Sequence, residues 1–330
     1  MKKALKIVAI VLASILLLAL LVVCGFSVFD RISYWSYYKN SEKAFAIPGL
    51  WDGAVQQGFD YDEQLDLYIY SGYMKDHSAS RLYIIDGDGE ESRYVELKEA
   101  DGSDHTGHVG GVSFGGDYVY VTASSSNEII MFELVDVLDG DGKATVCDRF
   151  EVILSSAYVY VRNNTLYTGE FYYLPSYDTP EDHWTTTPAG DAHKAIMAVY
   201  TLGEDGTPAE ADPDYLVSTR DKVQGMAFDS QGRLIVSTSW GLGASEICVY
   251  DLDRAQNGKM TVDGKEHRVM YADSSCLDYS TKAAPMAEEL VYKDGKLLIM
   301  NESASMKYLF GKLTTGNHVR AFNYDECVPA

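Results

Sequence analysis

The sequence predicts an all-β protein, a five-bladed β-propeller behind a single N-terminal transmembrane helix. A pattern of short strands recurs along most of the 330 residues, and one long uncharged segment stands at the N-terminus. Strand-only repeats with a period of about 50 residues are typical of propeller blades. We therefore expect a cytoplasmic tip and transmembrane anchor over residues 1–29, a juxtamembrane linker over 30–43 and a β-propeller domain over 44–330.

The clearest copy of the repeat is the stretch Lys222–Leu252. Met226–Phe228 is short and apolar, and Leu234–Val236 and Ile247–Tyr250 follow with the composition of strands. Asp229–Gly232, between the first two, is a cluster of turn-forming residues. This order predicts three consecutive antiparallel strands.

The same order of parts recurs elsewhere in the chain. Val55–Asp86 is the most similar copy, and three weaker copies complete the set. Aligned on one equivalent position, the five copies are anchored at Gly58, Gly111, Ala157, Gly225 and Glu289. The intervals are 53, 46, 68 and 64 residues, which predicts five blades. A six-bladed alternative stays open, because the longest interval has room for an extra hairpin within Leu174–Leu216.

The N-terminal segment Ile7–Phe29 contains 23 residues without a charge. At about 1.5 Å per residue, a helix of this length crosses a hydrocarbon core of roughly 30 Å. No small-residue cleavage site closes the segment, so we expect an uncleaved signal anchor. Lys2, Lys3 and Lys6 precede it and predict a cytoplasmic N-terminus. The expected location is therefore the cell membrane, with a single pass and an extracytoplasmic C-terminal domain.

Aromatic residues follow the apolar segment at Tyr34, Trp35, Tyr37 and Tyr38. Such residues are typical of the level at which a helix leaves the bilayer, so we expect interfacial anchoring. Ala44–Gly49 then resembles an isolated strand. Because the last repeat is short and a propeller closes its ring, we expect this strand to complete the last blade.

The composition restricts the classes of partner. The chain is 46% hydrophobic and carries a formal charge of −22, so it has material for a large core and lacks the basic patches that bind phosphate. We therefore exclude nucleic acid as a partner. Acidic Asp-Gly stretches between predicted strands fit hairpin turns better than calcium loops.

Four cysteines lie beyond the apolar segment, at Cys147, Cys248, Cys276 and Cys327. None has the spacing of a metal site, so buried thiols and disulfides both stay open. Cys276 and Cys327 flank the last blade. They are the pair that we expect to form a disulfide.

Polar residues recur at equivalent strand ends. The first strands of the repeats begin near Gln57, His108, Gln224, Glu288 and Glu289. The second strands end near Ser71, Thr122, Glu170, Thr238 and Glu302. Rotational repetition brings equivalent strand ends to one axis. The polar residues at these ends are more numerous than the capping of strand ends requires. We expect one mouth of the central channel to be formed by Gln57, His108, Glu170, Gln224, Glu288 and Glu302, rimmed by Tyr73 and Trp240.

Three resemblances accompany these motifs. The signatures His108–Gly111, Gln224–Met226 and Met286–Glu289 resemble uncharacterised membrane-anchored bacterial propellers, which brings no known activity. Gln224–Met226 with Ser237–Gly241 also resembles plant-type glutaminyl cyclases, although Val236 stands where that family places a glutamate. The extramembrane chain is similar to gluconolactonase-type propellers. That resemblance implies one divalent cation, calcium or zinc, with Glu170, Glu288, Glu289 and Asn301 as the matching metal-ligand candidates.

Three functional hypotheses follow. The first is an extracytoplasmic module that binds a small ligand or a protein partner, with ligand-binding residues Gln57, Tyr73, His108, Gln224, Trp240 and Glu288. The second is a metal-dependent lactonase or esterase in which Glu170 or His108 transfers the proton. The third is glutaminyl-peptide cyclisation, with Gln224 and Glu302 orienting the substrate amide. The catalytic candidates are thus His108, Glu170, Gln224 and Glu302.

Overall fold

The structure is a computed structural model that describes residues 2–124, 126–308 and 310–329. Four α-helices occur in this part of the chain: α1 Lys2–Ser33, α2 Trp35–Lys39, α3 Leu134–Asp139 and α4 Tyr324–Cys327. Everything else of regular structure is strand or short 3₁₀ turn. An all-β domain thus follows one long N-terminal helix.

The strands are arranged in antiparallel units. Strand β1 is Ser41–Ala46, and the first unit then contains β2 Ala54–Asp62, β3 Leu67–Met74, β4 Arg81–Asp86 and β5 Ser92–Lys98. The second unit contains β6 Val109–Gly115, β7 Tyr118–Ala123, β8 Glu128–Glu133 and β9 Lys143–Glu151. The third contains β10 Tyr158–Arg162 and β11 Thr165–Gly169. After a separate hairpin of β12 Thr185–Thr186 and β13 Ala192–His193, it is completed by β14 Ala195–Thr201 and β15 Tyr215–Thr219.

The remaining strands complete the domain. The fourth unit contains β16 Val223–Phe228, β17 Leu234–Thr238 and β18 Ser245–Tyr250. A hairpin of β19 Gln256–Val262 and β20 Lys265–Tyr271 precedes its last strand, β21 Leu277–Ala283. The fifth unit contains β22 Ala287–Lys293, β23 Lys296–Asn301 and β24 His318–Phe322. The three strands predicted within Lys222–Leu252 are therefore present as β16, β17 and β18.

The first strands of the units form a closed ring. β2 contacts β6, β6 contacts β10, β10 contacts β16, β16 contacts β22, and β22 contacts β2 again. Each unit radiates outward from this ring. The predicted fold class, an all-β propeller behind an apolar helix, is confirmed.

The N-terminal strand completes the fifth unit, as the sequence predicted. β1 pairs antiparallel with β24, with Ser41 opposite Phe322 and Ala46 opposite His318. The strand begins three residues earlier than the predicted Ala44. By supplying the fourth strand of the fifth unit, β1 covers an edge that would otherwise be unpaired.

Long intervals between repeats come from inserted hairpins. The hairpin β12–β13 lies in the segment where the sequence left a sixth blade open, and it pairs with no other sheet. The hairpin β19–β20 instead extends the third unit, because β20 pairs in parallel with β15. Neither hairpin inserts a further first strand into the ring.

Three anchor glycines of the repeat lie where neighbouring first strands approach most closely. A Cβ on Gly58 would lie 2.5 Å from the backbone nitrogen of Val112, and a Cβ on Gly225 would lie 2.6 Å from the Cα of Glu289. Gly111 has a similar contact with Val159, at 2.6 Å from its backbone nitrogen. Since backbone atoms cannot rotate away as a side chain can, glycine is required at these positions for steric reasons.

Hydroxyl groups on the second strands join neighbouring units. Ser71 donates to the carbonyl of Gly110, and Thr122 donates to the carbonyl of Ala157 at 3.3 Å. Ser237 donates in the same way to the carbonyl of Glu288. Two of the strand-end residues singled out in the sequence, Ser71 and Thr122, therefore make hydrogen bonds between units.

Helix α1 is long and apolar enough to cross a membrane over Lys3–Ser33. The tyrosines after it differ from expectation. Tyr37 and Tyr38 of α2 are buried in a core shared with the fourth and fifth units, and the Tyr38 hydroxyl donates to Asp30 at 2.5 Å. Their predicted place at the membrane interface is wrong, because their rings pack against protein; Trp35 alone of this cluster is largely exposed.

All five cysteines of the chain lie in the described residues and are free thiols. Cys276 is buried in the core of the third and fourth units, whereas Cys327, at the end of α4, packs against the separate core of the fourth and fifth units. The predicted Cys276–Cys327 disulfide is wrong, since the two residues belong to different core clusters.

Candidate functional site

A cavity of about 260 Å³ lies at one mouth of the channel. Residues from all five units line it, because the first strands begin and the second strands end at this face. The lining side chains include Gln57, His108, Ser124, Ser156, Phe171, Tyr177, Gln224, Ser239, Trp240, Met286, Glu288, Glu302, Lys307 and Tyr308. Five of the six residues expected at the mouth are among them, as is Trp240.

Two buried carboxyl groups form the polar centre of the cavity. Glu288 begins the fifth unit's first strand and Glu302 follows its second strand, and both are less than 8% exposed. Burial raises the pKa of Glu288 well above its usual range, and the charge of Glu302 raises it further. Burial also raises the pKa of Glu302, although its hydrogen bonds to Glu288 and Gln57 oppose the shift. The pair therefore shares a proton that resides mainly on Glu288.

Two amides hold this carboxyl pair. The side-chain nitrogen of Gln57 donates to Glu302 Oε2 at 2.8 Å. The side-chain nitrogen of Gln224 lies 3.4 Å from Glu288 Oε1 and 3.4 Å from the hydroxyl of Ser239. These contacts stabilise an ionised oxygen on Glu302 and leave other oxygen atoms of the pair facing the cavity.

A histidine and a lysine stand beside the acids. The His108 ring packs on Tyr73 with centroids 4.2 Å apart. Burial lowers the pKa of His108 to about 4, and the charge of Lys307 acts in the same direction. The imidazole is therefore neutral at physiological pH. Lys307 Nζ donates to the Tyr73 hydroxyl at 2.6 Å, so Tyr73 supports two lining residues from behind.

Aromatic side chains form another part of the cavity lining. Trp240 stacks on Tyr173 with ring centroids 4.3 Å apart, and it meets the edge of Tyr177 at 5.6 Å. Phe171 lies 5.9 Å from Trp240 between centroids. This group gives the cavity an apolar aromatic surface beside its polar groups.

Glu170 is not at the mouth. It is 1% exposed, and its two oxygens accept hydrogen bonds from His183 Nδ1 at 2.8 Å and from the backbone N–H of Ile196 at 3.1 Å. The connection after β11 folds over it and supplies His183. The prediction that Glu170 joins the other five residues at the mouth is therefore wrong.

The residues proposed as metal ligands are not gathered into one site. Both oxygens of Glu170 accept protein hydrogen bonds, and the Asn301 amide donates to the carbonyls of Ala284 and Pro285. In the described residues, no group of three or more His, Cys, Asp or Glu side chains is arranged to hold a metal ion. Glu170, Glu289 and Asn301 thus do not fit a common divalent-cation site.

Glu289 instead lies inside the channel near Asp60. Its Oε1 is buried and has no hydrogen-bond partner among the described residues. Burial raises the pKa of Glu289 well above its usual range, and the charge of Asp60 adds to this shift. Asp60 accepts hydrogen bonds from the Ser113 hydroxyl at 2.8 Å and the Phe114 N–H at 2.9 Å. Burial nevertheless raises its pKa to about 7.

Several lining residues were missed in the sequence. Lys307 and Tyr308 lie in the connection between β23 and β24, and Phe171 and Tyr177 lie in the connection after β11. Neither segment has an equivalent in the other repeats. Their position in the chain could have indicated them, because both segments follow a second strand and therefore start at the mouth.

No family model matches the sequence, and no curated protein matches it. Among solved structures, the chain is similar to the PQQ-bound aldose sugar dehydrogenase of Streptomyces coelicolor, with 15% identity, a TM-score of 0.46, and coverage of 85% of this chain and 95% of that one. It is also similar to the glutaminyl cyclase of Myxococcus xanthus, with 9% identity, a TM-score of 0.41, and coverage of 75% and 85%. A gluconolactonase of Xanthomonas campestris has 17% identity, a TM-score of 0.38, and coverage of 76% and 70%.

Proposed function

We propose that this protein is a membrane-anchored propeller that binds a small uncharged ligand in the cavity at the channel mouth. The observation that carries the proposal is that the Glu288–Glu302 pair, two amides and the aromatic group around Trp240 line one cavity. A few convergent polar groups facing an apolar surface are typical of small-molecule sites. The cavity volume of about 260 Å³ suits one small molecule.

The charges of the cavity favour an uncharged ligand. Burial raises the pKa of both Glu288 and Glu302, and more strongly that of Glu288, so the pair resists carrying two negative charges. Lys307 contributes one positive charge, and His108 is neutral. The lining charges therefore nearly cancel. A ligand with hydroxyl or amide groups would exchange hydrogen bonds with the acids and glutamines, while a ring face would stack on Trp240.

Membrane anchoring through α1 is part of the proposal. The helix is apolar over a length that spans a bilayer, and its C-terminal turns pack on the propeller. With lysines at the N-terminal end, the propeller would lie outside the cytoplasm. The site would then sample ligands in the extracytoplasmic space.

A second candidate is an enzyme that transfers protons at the same site. A protonated Glu288 beside an ionised Glu302 offers a general acid and a general base, as carboxyl pairs do in other enzymes. The neutral His108 could accept a proton. This reading covers the chemistry expected of a hydrolase or a cyclase and uses no metal ligand. It is favoured over simple binding only if a ligand of the cavity is converted.

The test is a thermal-shift screen on the full chain in detergent. Neutral polyols, primary amides, ammonium compounds and carboxylates are compared on wild type, Trp240→Ala and the distant surface variant Glu63→Gln. At ten times Kd, a ligand stabilises by about 1.4 kcal/mol, which is a measurable shift. We expect polyols or amides to stabilise wild type and Glu63→Gln but not Trp240→Ala. Equal responses in all three proteins would refute binding in the cavity.

A further inference from the structure

The direction in which α1 leaves the propeller is defined by its contacts. The Phe26 ring meets Phe310 at 6.4 Å between centroids, and Phe310 lies in the connection that also carries Lys307 and Tyr308 of the cavity. Farther along the chain, Tyr37 stacks on Phe322, at the opposite end of β24. The chain thus runs from the mouth face at Phe26 to the far face at Ser41, where β1 starts back.

The lengths agree with this path. From Phe26 to Ser33 the helix advances by about 10 Å, and from His318 to Phe322 strand β24 spans about 13 Å. The helix and the strand therefore descend the same height of the propeller side by side. The preceding part of α1 must project away from the mouth face.

The uncharged projecting part is slightly shorter than the thickness of a bilayer. Residues through Val22 are exposed on all sides, and partial covering by the propeller begins at Val23 and Phe26. From Ile7, the first residue after the charged Lys6, to Val22 the helix measures about 23 Å, which is most of a hydrocarbon thickness of roughly 30 Å. The apolar residues from Val23 to Phe29, which complete the hydrophobic length, lie beside the propeller, so no stalk remains to hold the mouth face away from the membrane.

The mouth face carries the side chains that such contact would need. Outside α1, nine large hydrophobic residues are exposed in the described chain, and five of them lie in connections at this face: Trp51, Leu174, Tyr177, Leu242 and Leu313. Trp51 is 80% exposed, and Lys312 Nζ lies 3.9 Å from its ring centroid. A tryptophan beside a lysine is typical of the membrane interface.

The local charge near the helix is compatible with a lipid surface. The chain as a whole has a formal charge of −22. The mouth-face connection that contacts the helix and the two loops hydrogen-bonded to it contain Lys75, Lys307 and Lys312, together with the exposed carboxylates Asp52 and Asp76. This edge is therefore slightly positive, and an anionic lipid surface would not repel it.

We propose that the mouth face rests on the surface of the membrane that α1 spans, so that the cavity opens toward the bilayer and takes its ligand from the interface. This inference rests on the proposed membrane anchor and identifies the ligand as a molecule concentrated at the lipid surface. The partner of the mouth face is the lipid headgroup layer. Entry to the cavity is then lateral, between the propeller and the membrane.

The experiment places the full chain in phosphatidylcholine vesicles with lipids brominated near the headgroup, which quench tryptophan by contact. The Trp51 contribution is the difference between wild type and Trp51→Phe. Leu65→Trp in the Trp51→Phe background reports the far face, because Leu65 lies beyond β2, about 26 Å from the mouth. Leu313→Trp in that background is a second mouth-face reporter.

We expect the brominated lipids to reduce the Trp51 and Leu313→Trp emission at least about twofold, as at a membrane interface. The Leu65→Trp emission should stay unchanged. Acrylamide in the water should quench Trp51 less in vesicles than in detergent. Quenching of Leu65→Trp alone, of all reporters, or of none would overturn the proposed orientation. No ligand is used, so a negative result here leaves the cavity-binding test unaffected, and the reverse also holds.

Discussion

The buried carboxyl group of Asp60 should make the free energy of unfolding depend on pH. Burial raises its pKa from the ordinary 3.8 to about 7. The folded protein then binds a proton between these values that the unfolded chain releases. Its contribution to stability is fully present below about pH 4 and is lost as pH rises to about 7. Glu288, Glu289 and Glu302, whose pKa values are also raised, change stability in the same direction.

Asp60→Asn removes the titration of this carboxyl group. The amide cannot titrate, but it fits the same space and can still accept from the Phe114 N–H. We compare the free energy of unfolding of wild type with that of the variant at each pH. For a pKa shift from 3.8 to about 7, this difference should change by about 3 kcal/mol between pH 5 and pH 8. Wild type should lose this much relative to the variant as the pH is raised.

The assay is urea denaturation of the full chain in mild detergent at pH 5, 6.5 and 8. Glu63→Gln is the matched control, since Glu63 is exposed in the turn after the same strand. Its stability difference from wild type should stay nearly constant across this range. If the Asp60→Asn difference is equally constant, the pKa of Asp60 is not raised on folding, and the account of its burial in the channel is wrong.

Two further predictions test packing. Gly225→Ala should lower the free energy of unfolding by about 3 kcal/mol, because its Cβ would meet the backbone of the next unit. Gly243→Ala is the control and should be nearly neutral, because the nearest atom to its Cβ would be 3.4 Å away. Equal denaturation midpoints for the two variants would contradict the close approach of the first strands. Maleimide should label the exposed Cys147 in the native protein, but Cys248 and Cys276 only after unfolding; peptide mapping that finds a Cys276 disulfide would contradict the structure.

The sequence predicted the features that repetition controls. Gln224-Gly225 and its equivalents indicated the first strands, and the short last repeat indicated the closing strand β1. The glycines repeat because neighbouring backbones approach too closely for a Cβ. Convergence of Gln57, Gln224 and Glu302 followed from rotational symmetry alone.

Features that depend on unrepeated segments could not be predicted. Glu170 occupies the equivalent strand end, but the following connection covers it and provides His183. Lys307 enters the cavity from a connection that no other repeat contains. Tyr37 and Tyr38 have the composition of an interfacial cluster, and only the tertiary packing of α2 shows that they are buried.

Titration calorimetry of the strongest stabilising compound from the thermal-shift screen tests the central claim most directly, since it measures Kd for a ligand of the channel mouth. Wild type, Glu302→Ala and Glu63→Gln would be compared at pH 7. Removal of Glu302 takes away a buried hydrogen-bonding carboxylate and should weaken Kd at least about tenfold, equivalent to 1.4 kcal/mol, while Glu63→Gln should bind as wild type does. The same Kd in all three proteins would contradict ligand binding at the Glu288–Glu302 cavity.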